Sequence, residues 1–219
     1  MSNTVKDLSE LRLSYEKGAL LEQDLASSPV EQFLKWFDQA LQLKLNEPYA
    51  MSLATANAQG RPHLRTVLLR GVSEQGFDFY TNYDSQKGQD LAENPFAELL
   101  FFWAEMECQV RVSGKVVKIS EQESTAYYLK RPKDSQIAAH ISTPQSGVIA
   151  SREELEHRFN ELAQKVNEEG LVLQKPSFWG GYRVVPDYFE FWQGRPNRLH
   201  DRLIYRLNAG QWHIERLMP

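Results

Sequence analysis

The stretch Ala50-Met51-Ser52-Leu53-Ala54-Thr55-Ala56, then the turn Asn57-Ala58-Gln59-Gly60, then His63-Leu64-Arg65-Thr66-Val67-Leu68-Leu69-Arg70-Gly71-Val72 decides the fold. Apolar and β-branched residues on both sides of a polar, glycine-ended turn read as two strands, and strands joined so briefly must run antiparallel. The same grammar recurs at Phe77–Asn82 after Ser73-Glu74-Gln75-Gly76, at Phe96–Trp103, Glu107–Ile119, Tyr182–Val185, Tyr188–Trp192 and Arg202–Leu207, and at Trp212–Leu217 after Asn208-Ala209-Gly210. So many antiparallel strands predict a mainly β barrel with helices packed outside it. Helical periods fall between them. Ser28-Pro29-Val30-Glu31 is a capping box with proline in the first turn, after which Val30, Phe33, Leu34, Phe37 and Leu41 share a face expected to be core. Ser120 to Glu123 and Ser151 to Glu154 open two more helices, the second running through Leu155, Phe159, Leu162 and Val166 to a stop near Gly170. Residues 1–27 are polar and mixed in charge, and are expected to form a mobile N-terminal arm ahead of a single domain over 28–219.

A chain of 219 residues can bury a sizeable core, and its net charge of −4 argues against nucleic acid or a membrane surface as partner. Cys108 is the only cysteine, so no intrachain disulfide forms, which fits a reducing compartment. Nothing near the N-terminus resembles a signal peptide, and no apolar run approaches the roughly 20 residues of a membrane span, so a cytoplasmic protein is expected. There is no G-x-G-x-x-G between a strand and a helix and no P-loop, which argues against a Rossmann or P-loop nucleotide domain. The histidines, at 63, 140, 157, 200 and 213, lack the paired spacing of a zinc site, and no metal is expected.

Cationic side chains are concentrated, not abundant. Phe191-Trp192-Gln193-Gly194 leads into Arg195-Pro196-Asn197-Arg198-Leu199-His200-Asp201-Arg202, where guanidiniums and an imidazole crowd beside aromatics. They would repel one another unless a planar anion sat among them, and guanidinium forks suit phosphate or carboxylate; the plainer alternative is a solvated basic turn. Arg65 and Arg70 bracket an apolar run, and strand alternation sends residues five apart to opposite faces. Ser85-Gln86-Lys87, after Tyr80-Thr81-Asn82, opens a short helix whose free N–H groups and hydroxyl favour a phosphate, unless Ser85 is merely the cap. Tyr127, Arg131, Lys133 and Ser135 form a second phosphate-competent group, with Tyr127 and Arg131 at i,i+4 and Pro132 ending the helix; the alternative is a helix end decorated with dipole-complementing cations. Gln109 is an amide among apolar strand neighbours and must find partners. Phe178, Trp179, Phe189, Phe191 and Trp192 read as core before ligand wall.

From about Arg12 to Pro219 these segments resemble the pyridoxamine 5′-phosphate oxidase family. The carriers are Arg65-Thr66-Val67-Leu68-Leu69-Arg70, Phe79-Tyr80-Thr81-Asn82, Gln109-Val110, Arg131-Pro132-Lys133-Asp134-Ser135-Gln136, Ser177-Phe178-Trp179-Gly180-Gly181, and Phe191-Trp192-Gln193-Gly194 leading to Arg198-Leu199-His200-Asp201-Arg202. The resemblance implies an FMN-binding split β-barrel and a homodimer with FMN at the subunit interface. It implies oxidation of pyridoxamine or pyridoxine 5′-phosphate by O2 to pyridoxal 5′-phosphate, with H2O2 as product.

By motif position, Arg65, Thr66, Val67, Leu68, Leu69, Arg70, Tyr80, Thr81, Gln86, Lys87, Gln109, Gln145, Ser146, Trp192 and Arg202 would line the flavin. Arg70, Tyr127, Arg131 and Ser135 would meet the substrate phosphate, and Arg198, Leu199 and His200 its ring, with Arg198 and His200 beside the carbon that loses hydride. Arg12, Leu13, Ser14 and Tyr15 would close over the site. Arg202 would stabilise negative charge developing on the reduced ring, and His200 is a candidate proton acceptor. The chain departs from the family pattern in Arg70, where lysine is frequent, in Gln86, where arginine is frequent, and in Ala139–Ser146, which lacks a common tryptophan and is one residue longer. A rival from another class is a split-barrel protein that binds flavin or pyridoxal phosphate without turnover, and a flavin reductase would not need the Tyr127, Arg131 and Ser135 group.

Overall fold

The computed structural model describes residues 6–11 and 13–219. Its strands are β1 (Ala50–Ala56), β2 (Pro62–Leu68), β3 (Gly71–Ser73), β4 (Gly76–Asn82), β5 (Phe96–Trp103), β6 (Cys108–Lys118), β7 (Trp179–Gln193), β8 (Asp201–Asn208) and β9 (Gln211–Arg216). The helices are α1 (Pro29–Gln42), α2 (Gln86–Glu93), α3 (Glu121–Lys130), α4 (Lys133–Ile141) and α5 (Arg152–Asn167). Hydrogen-bonded neighbours follow the order β2-β1-β5-β6-β7-β4-β3, with β8 joining β7 and β9. The β1–β2, β1–β5, β3–β4, β4–β7 and β8–β9 pairs are all antiparallel, as the short turns require.

The chain divides into two compact units, one built from the described residues up to Pro48 with Phe102–Val110 and Phe189–Pro219, the other from Tyr49–Phe101 and Arg111–Tyr188. In the larger unit Leu53, Phe77, Phe79, Leu99, Phe101, Val112 and Val184 are fully buried. They sit at alternate positions of their strands, which is why one face of each strand reads apolar. Gly181 is fixed by close approach: a Cβ there would stand 2.7 Å from the Tyr80 ring and 2.7 Å from Ile119 Cδ1, so the Tyr80 ring lies where β7 has no side chain.

In the smaller unit α1 is capped by Ser28, whose side chain accepts from the N–H groups of Val30 and Glu31. The helix buries Val30, Phe33, Trp36 and Ala40, while Leu34 and Leu41 are exposed on this chain. The stripe expected from Leu34 and Leu41 is therefore rotated toward Trp36. Cys108 Sγ lies 2.9 Å from Gln193 Oε1, and burial, reinforced by neighbouring Glu107, pushes its thiol up to about 12.

Three expectations change. The strand read as His63–Val72 ends at Leu68, and Arg70 falls in the link to β3 with its N–H donated to the carbonyl of Asp78, so strand alternation does not aim its side chain. Tyr182–Val185 and Tyr188–Trp192 are one strand, β7, running through Pro186. Pro132 does not merely end α3: it is the N-cap of α4, which the sequence did not reveal.

The segment before α1 has few apolar anchors but several polar ones. Glu107 accepts the N–H groups of Glu16 and Lys17 at 2.7 and 2.9 Å, Arg195 donates to the carbonyl of Gly18, and Leu20 is buried. A count of apolar positions does not see such tethers. Leu13 is 90% exposed, and the expected contribution of Arg12 lies outside the described residues.

Candidate active site

The larger unit gathers two cationic groups. In the first, Arg70, Tyr80, Tyr127, Arg131 and Ser135 line a cavity of about 480 Å³ with Val67, Leu68, Lys130, Pro132 and Trp179. Residues distant in sequence meet here because α3 ends at Lys130 and Arg131 turns to extended backbone, which brings α4 and Ser135 back to the same opening. One wall is a stack of parallel rings: Tyr80 and Tyr127 have centroids 3.9 Å apart, and Trp179 lies 5.6 Å from Tyr80 at an interplanar angle of 15°. The Arg131 guanidinium sits 4.7 Å from the Trp179 ring centre, and its Nη1 is buried without a hydrogen-bond partner among the described residues.

Burial lowers the Arg131 pKa, with Tyr127 and Tyr128 opposing that effect and the charge of Arg70 adding to it. Two guanidiniums held in each other's field, one with a buried unpaired N–H, are stabilised by an anion that accepts from both. Burial, followed by Asp78 and Tyr127, pushes the Tyr80 hydroxyl up to about 12, so at neutral pH it is a hydrogen-bond donor.

The second group surrounds the start of α2. Lys87 Nζ donates to Thr81 Oγ1 at 3.1 Å, Ser85 Oγ at 3.2 Å and Gln145 Oε1 at 3.4 Å, and Gln86 N–H donates to Ser146 Oγ at 3.4 Å. Arg65 on β2 is close enough to act on Lys87: burial, then the charge of Arg65, pushes the Lys87 pKa down to about 8. Thr81, Gln86, Lys87, Gln145 and Ser146, placed around a flavin by the family resemblance, are thus brought together, with Arg65 near Lys87. Ser85 is the cap of α2, accepting from Gly88 N–H and donating to the Asn82 carbonyl, so its hydroxyl is committed to the helix and Lys87 carries the charge. Of the remaining residues placed around a flavin, Thr66 is exposed and Leu69 is buried in the core.

The smaller unit holds the other residues. Tyr15 packs edge-on against Trp192 and His200, with centroids 5.6 and 5.7 Å away, and Trp192 lies 4.7 Å from His200. Gly194 makes room, since a Cβ there would meet Tyr15 Cγ at 2.7 Å. Ser14 and Leu13 precede this contact and are exposed. The N–H of Arg195 donates to His200 Nδ1 at 3.1 Å. In a neutral His200 this leaves the proton on Nε2, which is then a hydrogen-bond donor.

Arg198 and Leu199 are exposed at the turn, where Asn197 and Arg198 adopt φ of 58° and 62°. Left-handed backbone suits asparagine but strains arginine. Arg202 Nε donates to the buried carboxylate of Glu190 at 2.8 Å and Nη1 to the Met218 carbonyl at 3.0 Å. Gln109 is half-buried on the β6 face opposite the Cys108 and Val110 core positions.

Sequence reasoning missed Trp179 as a cavity wall, along with Lys130, Pro132 and the polar cluster of Thr55, His63 and Asp90 behind Arg65. The signal for part of that cluster was present: the Asn57–Gly60 turn sets a register in which Thr55 faces His63.

Residues 37–165 match the family model described as pyridoxamine 5′-phosphate oxidase, and residues 179–219 match the pyridoxine 5′-phosphate oxidase C-terminal dimerisation region. The chain is 70% identical to the pyridoxine/pyridoxamine 5′-phosphate oxidase of Acinetobacter baumannii over 100% of both chains. It is 55% identical to that of Deinococcus deserti over 97% of this chain and 99% of the relative. Among solved structures it is similar to PhzG from Burkholderia lata in complex with tetrahydrophenazine-1-carboxylic acid, with a TM-score of 0.85 and 30% identity over 92% of this chain and 98% of that one. A pyridoxamine 5′-phosphate oxidase-related, FMN binding protein from Nostoc punctiforme has the same fold, with a TM-score of 0.70 at 19% identity over 90% of this chain and 99% of that one.

Proposed function

The chain belongs to the pyridoxamine 5′-phosphate oxidase family, and from that premise we propose that it oxidises pyridoxamine 5′-phosphate, and pyridoxine 5′-phosphate, to pyridoxal 5′-phosphate with FMN as cofactor. For the amine the balance is substrate, O2 and water giving aldehyde, ammonia and H2O2. The observation that carries the reading is the cavity where Arg70, Tyr127 and Ser135 meet Arg131, whose buried Nη1 has no hydrogen-bond partner among the described residues. A rival that binds flavin alone has no use for that second anion site.

Each residue then has a task. Arg70 and Arg131 take the substrate phosphate as paired cations, with Ser135 and the Tyr127 hydroxyl as further donors. Arg198 and His200 orient the pyridine ring, His200 through Nε2–H, and Tyr15, already against His200, helps exclude water. Lys87 and Arg65, with Thr81, fit a terminal phosphate, and Gln86, Gln145, Ser146, Gln109 and Trp192 complete the flavin contacts. FMN supplies the acceptor for the hydride that leaves the substrate carbon. Arg202, held by Glu190, presents an oriented cation toward charge that develops there. The flavin lies at the interface of a cytoplasmic homodimer, Arg12 to Tyr15 close over the site, and 28–219 form the oxidase domain.

The test is the visible spectrum of the purified protein, followed by denaturation and chromatography of the released flavin. FMN is expected, and anaerobic pyridoxamine 5′-phosphate should bleach it. Release of FAD, or no flavin after FMN is offered, sinks the proposal.

A further inference from the structure

A carboxylate stands where an anion site should tolerate none. Asp90, on the inner face of α2, has a side chain only 1% exposed and lies 3.8 Å from Arg65 Nη2. Its Oδ2 accepts from the Thr55 hydroxyl at 2.6 Å and from His63 Nδ1 at 2.9 Å, and its Oδ1 accepts from Gln86 Nε2 at 3.0 Å. The Thr55 oxygen in turn accepts from Arg65 Nη1 at 2.7 Å, while the same nitrogen donates to the Leu53 carbonyl at 3.1 Å. Arg65, Thr55 and Asp90 therefore form one relay in which each donor polarises the next. The groups facing Asp90 are Thr55 from β1, His63 and Arg65 from β2, and Gln86 from its own helix, with Lys87 beyond Arg65. Burial raises the Asp90 pKa, and hydrogen bonds from Thr55, Gln86 and His63 more than offset that, so it stays ionised at neutral pH.

By charge alone Asp90 opposes a bound phosphate, so its place there needs a directional explanation. A guanidinium on a half-exposed strand has several rotamers, and only some present its fork to an anion. We infer that Asp90 is a positioning residue for the flavin phosphate: through Thr55 it fixes the direction of Arg65, directly it fixes Gln86, and it thereby sets how firmly the chain grips FMN relative to riboflavin. The inference rests on the proposed reading of this group as the flavin phosphate site.

The sign of one substitution separates positioning from charge balance. Asp90→Asn removes the negative charge but keeps the shape. If Asp90 only balances Arg65 and Lys87, FMN should bind more tightly to the variant. If it positions them, the asparagine keeps an acceptor oxygen on only one side and turns a donor NH2 toward the other, either toward Thr55 and His63 or toward Gln86; the aim of Arg65 or of Gln86 is then lost, and FMN affinity should fall about tenfold or more, the size of one misdirected charge-assisted hydrogen bond. Riboflavin, which has no phosphate, should bind both proteins within about twofold. Dissociation constants from quenching of flavin fluorescence read the ratio. An unchanged or increased FMN-to-riboflavin preference in Asp90→Asn overturns the inference. Thr55→Val, which deletes only the relay hydroxyl, should lower the preference in the same sense; should Asp90→Asn fail to fold, an unchanged preference in Thr55→Val overturns it instead. A parent protein that binds riboflavin and FMN equally would overturn the phosphate-site reading itself.

Discussion

Replacing Arg131 by alanine should erase most of the preference for phosphorylated substrate. The side chain stacks on Trp179 and keeps a buried Nη1 without a partner among the described residues, so little in the described structure depends on that nitrogen. Its contact with a phosphate is charge-assisted and desolvated, which is worth roughly 1.5–3 kcal/mol, or about a ten- to 150-fold change in kcat/KM. Two terms act against the loss: Arg70, Tyr127 and Ser135 still line the cavity, and removing Arg131 relieves its repulsion with Arg70. The lower half of that range is therefore expected, expressed mainly in KM because the phosphate is remote from the reacting carbon. Steady-state kinetics with pyridoxamine 5′-phosphate and with pyridoxamine, normalised to flavin absorbance, measure it. A variant that discriminates the two substrates as well as its parent refutes the assignment of this cavity to the substrate phosphate.

Other expectations follow from the same geometry. With burial, then Arg65, pushing the Lys87 pKa down to about 8, a bound dianion must raise it, so FMN binding takes up a proton over that range; affinity should fall as pH rises from 7 to 9, and Lys87→Met should flatten the profile. A parent affinity that is constant over that range contradicts the role given to Lys87. Arg198→Ala should cut turnover about 10²-fold with flavin still bound, since misplacing the ring alone costs that much; normal turnover would remove Arg198 from the site. Deleting residues 1–15 should spare folding and FMN binding, because the tethers at Glu16 and Lys17 remain, but weaken turnover. Loss of flavin on truncation would show that the deleted segment is structural.

What the sequence disclosed and what it hid divide along the range of the interactions. The β1–β2 hairpin was legible because Asn57–Gly60 and the alternation beside it are local, and Ser28, Ser120 and Ser151 cap helices as their spacing indicates. Helix α4 was hidden because Pro132 punctuates both the end of one helix and the start of another, and sequence shows only the punctuation. β7 looked like two strands because Pro186 removes one ladder donor without ending the strand. Among the cavity-lining residues, Tyr127, Arg131 and Ser135 lie close in sequence and were read as a group. Asp90 and Trp179 act on partners from distant strands, and only tertiary register brings them there.

Cys108 has a practical consequence. Buried, with its Sγ beside Gln193 Oε1 and its pKa pushed up by burial and by Glu107, it is held as the protonated thiol at neutral pH and shielded from alkylating reagents. The chain thus comes with its sole native sulfhydryl already masked. A cysteine introduced at Leu13 would be the one labelled position in the folded protein. A spin or fluorescent reporter there could follow how the N-terminal segment responds to substrate without a cysteine-free background first being made.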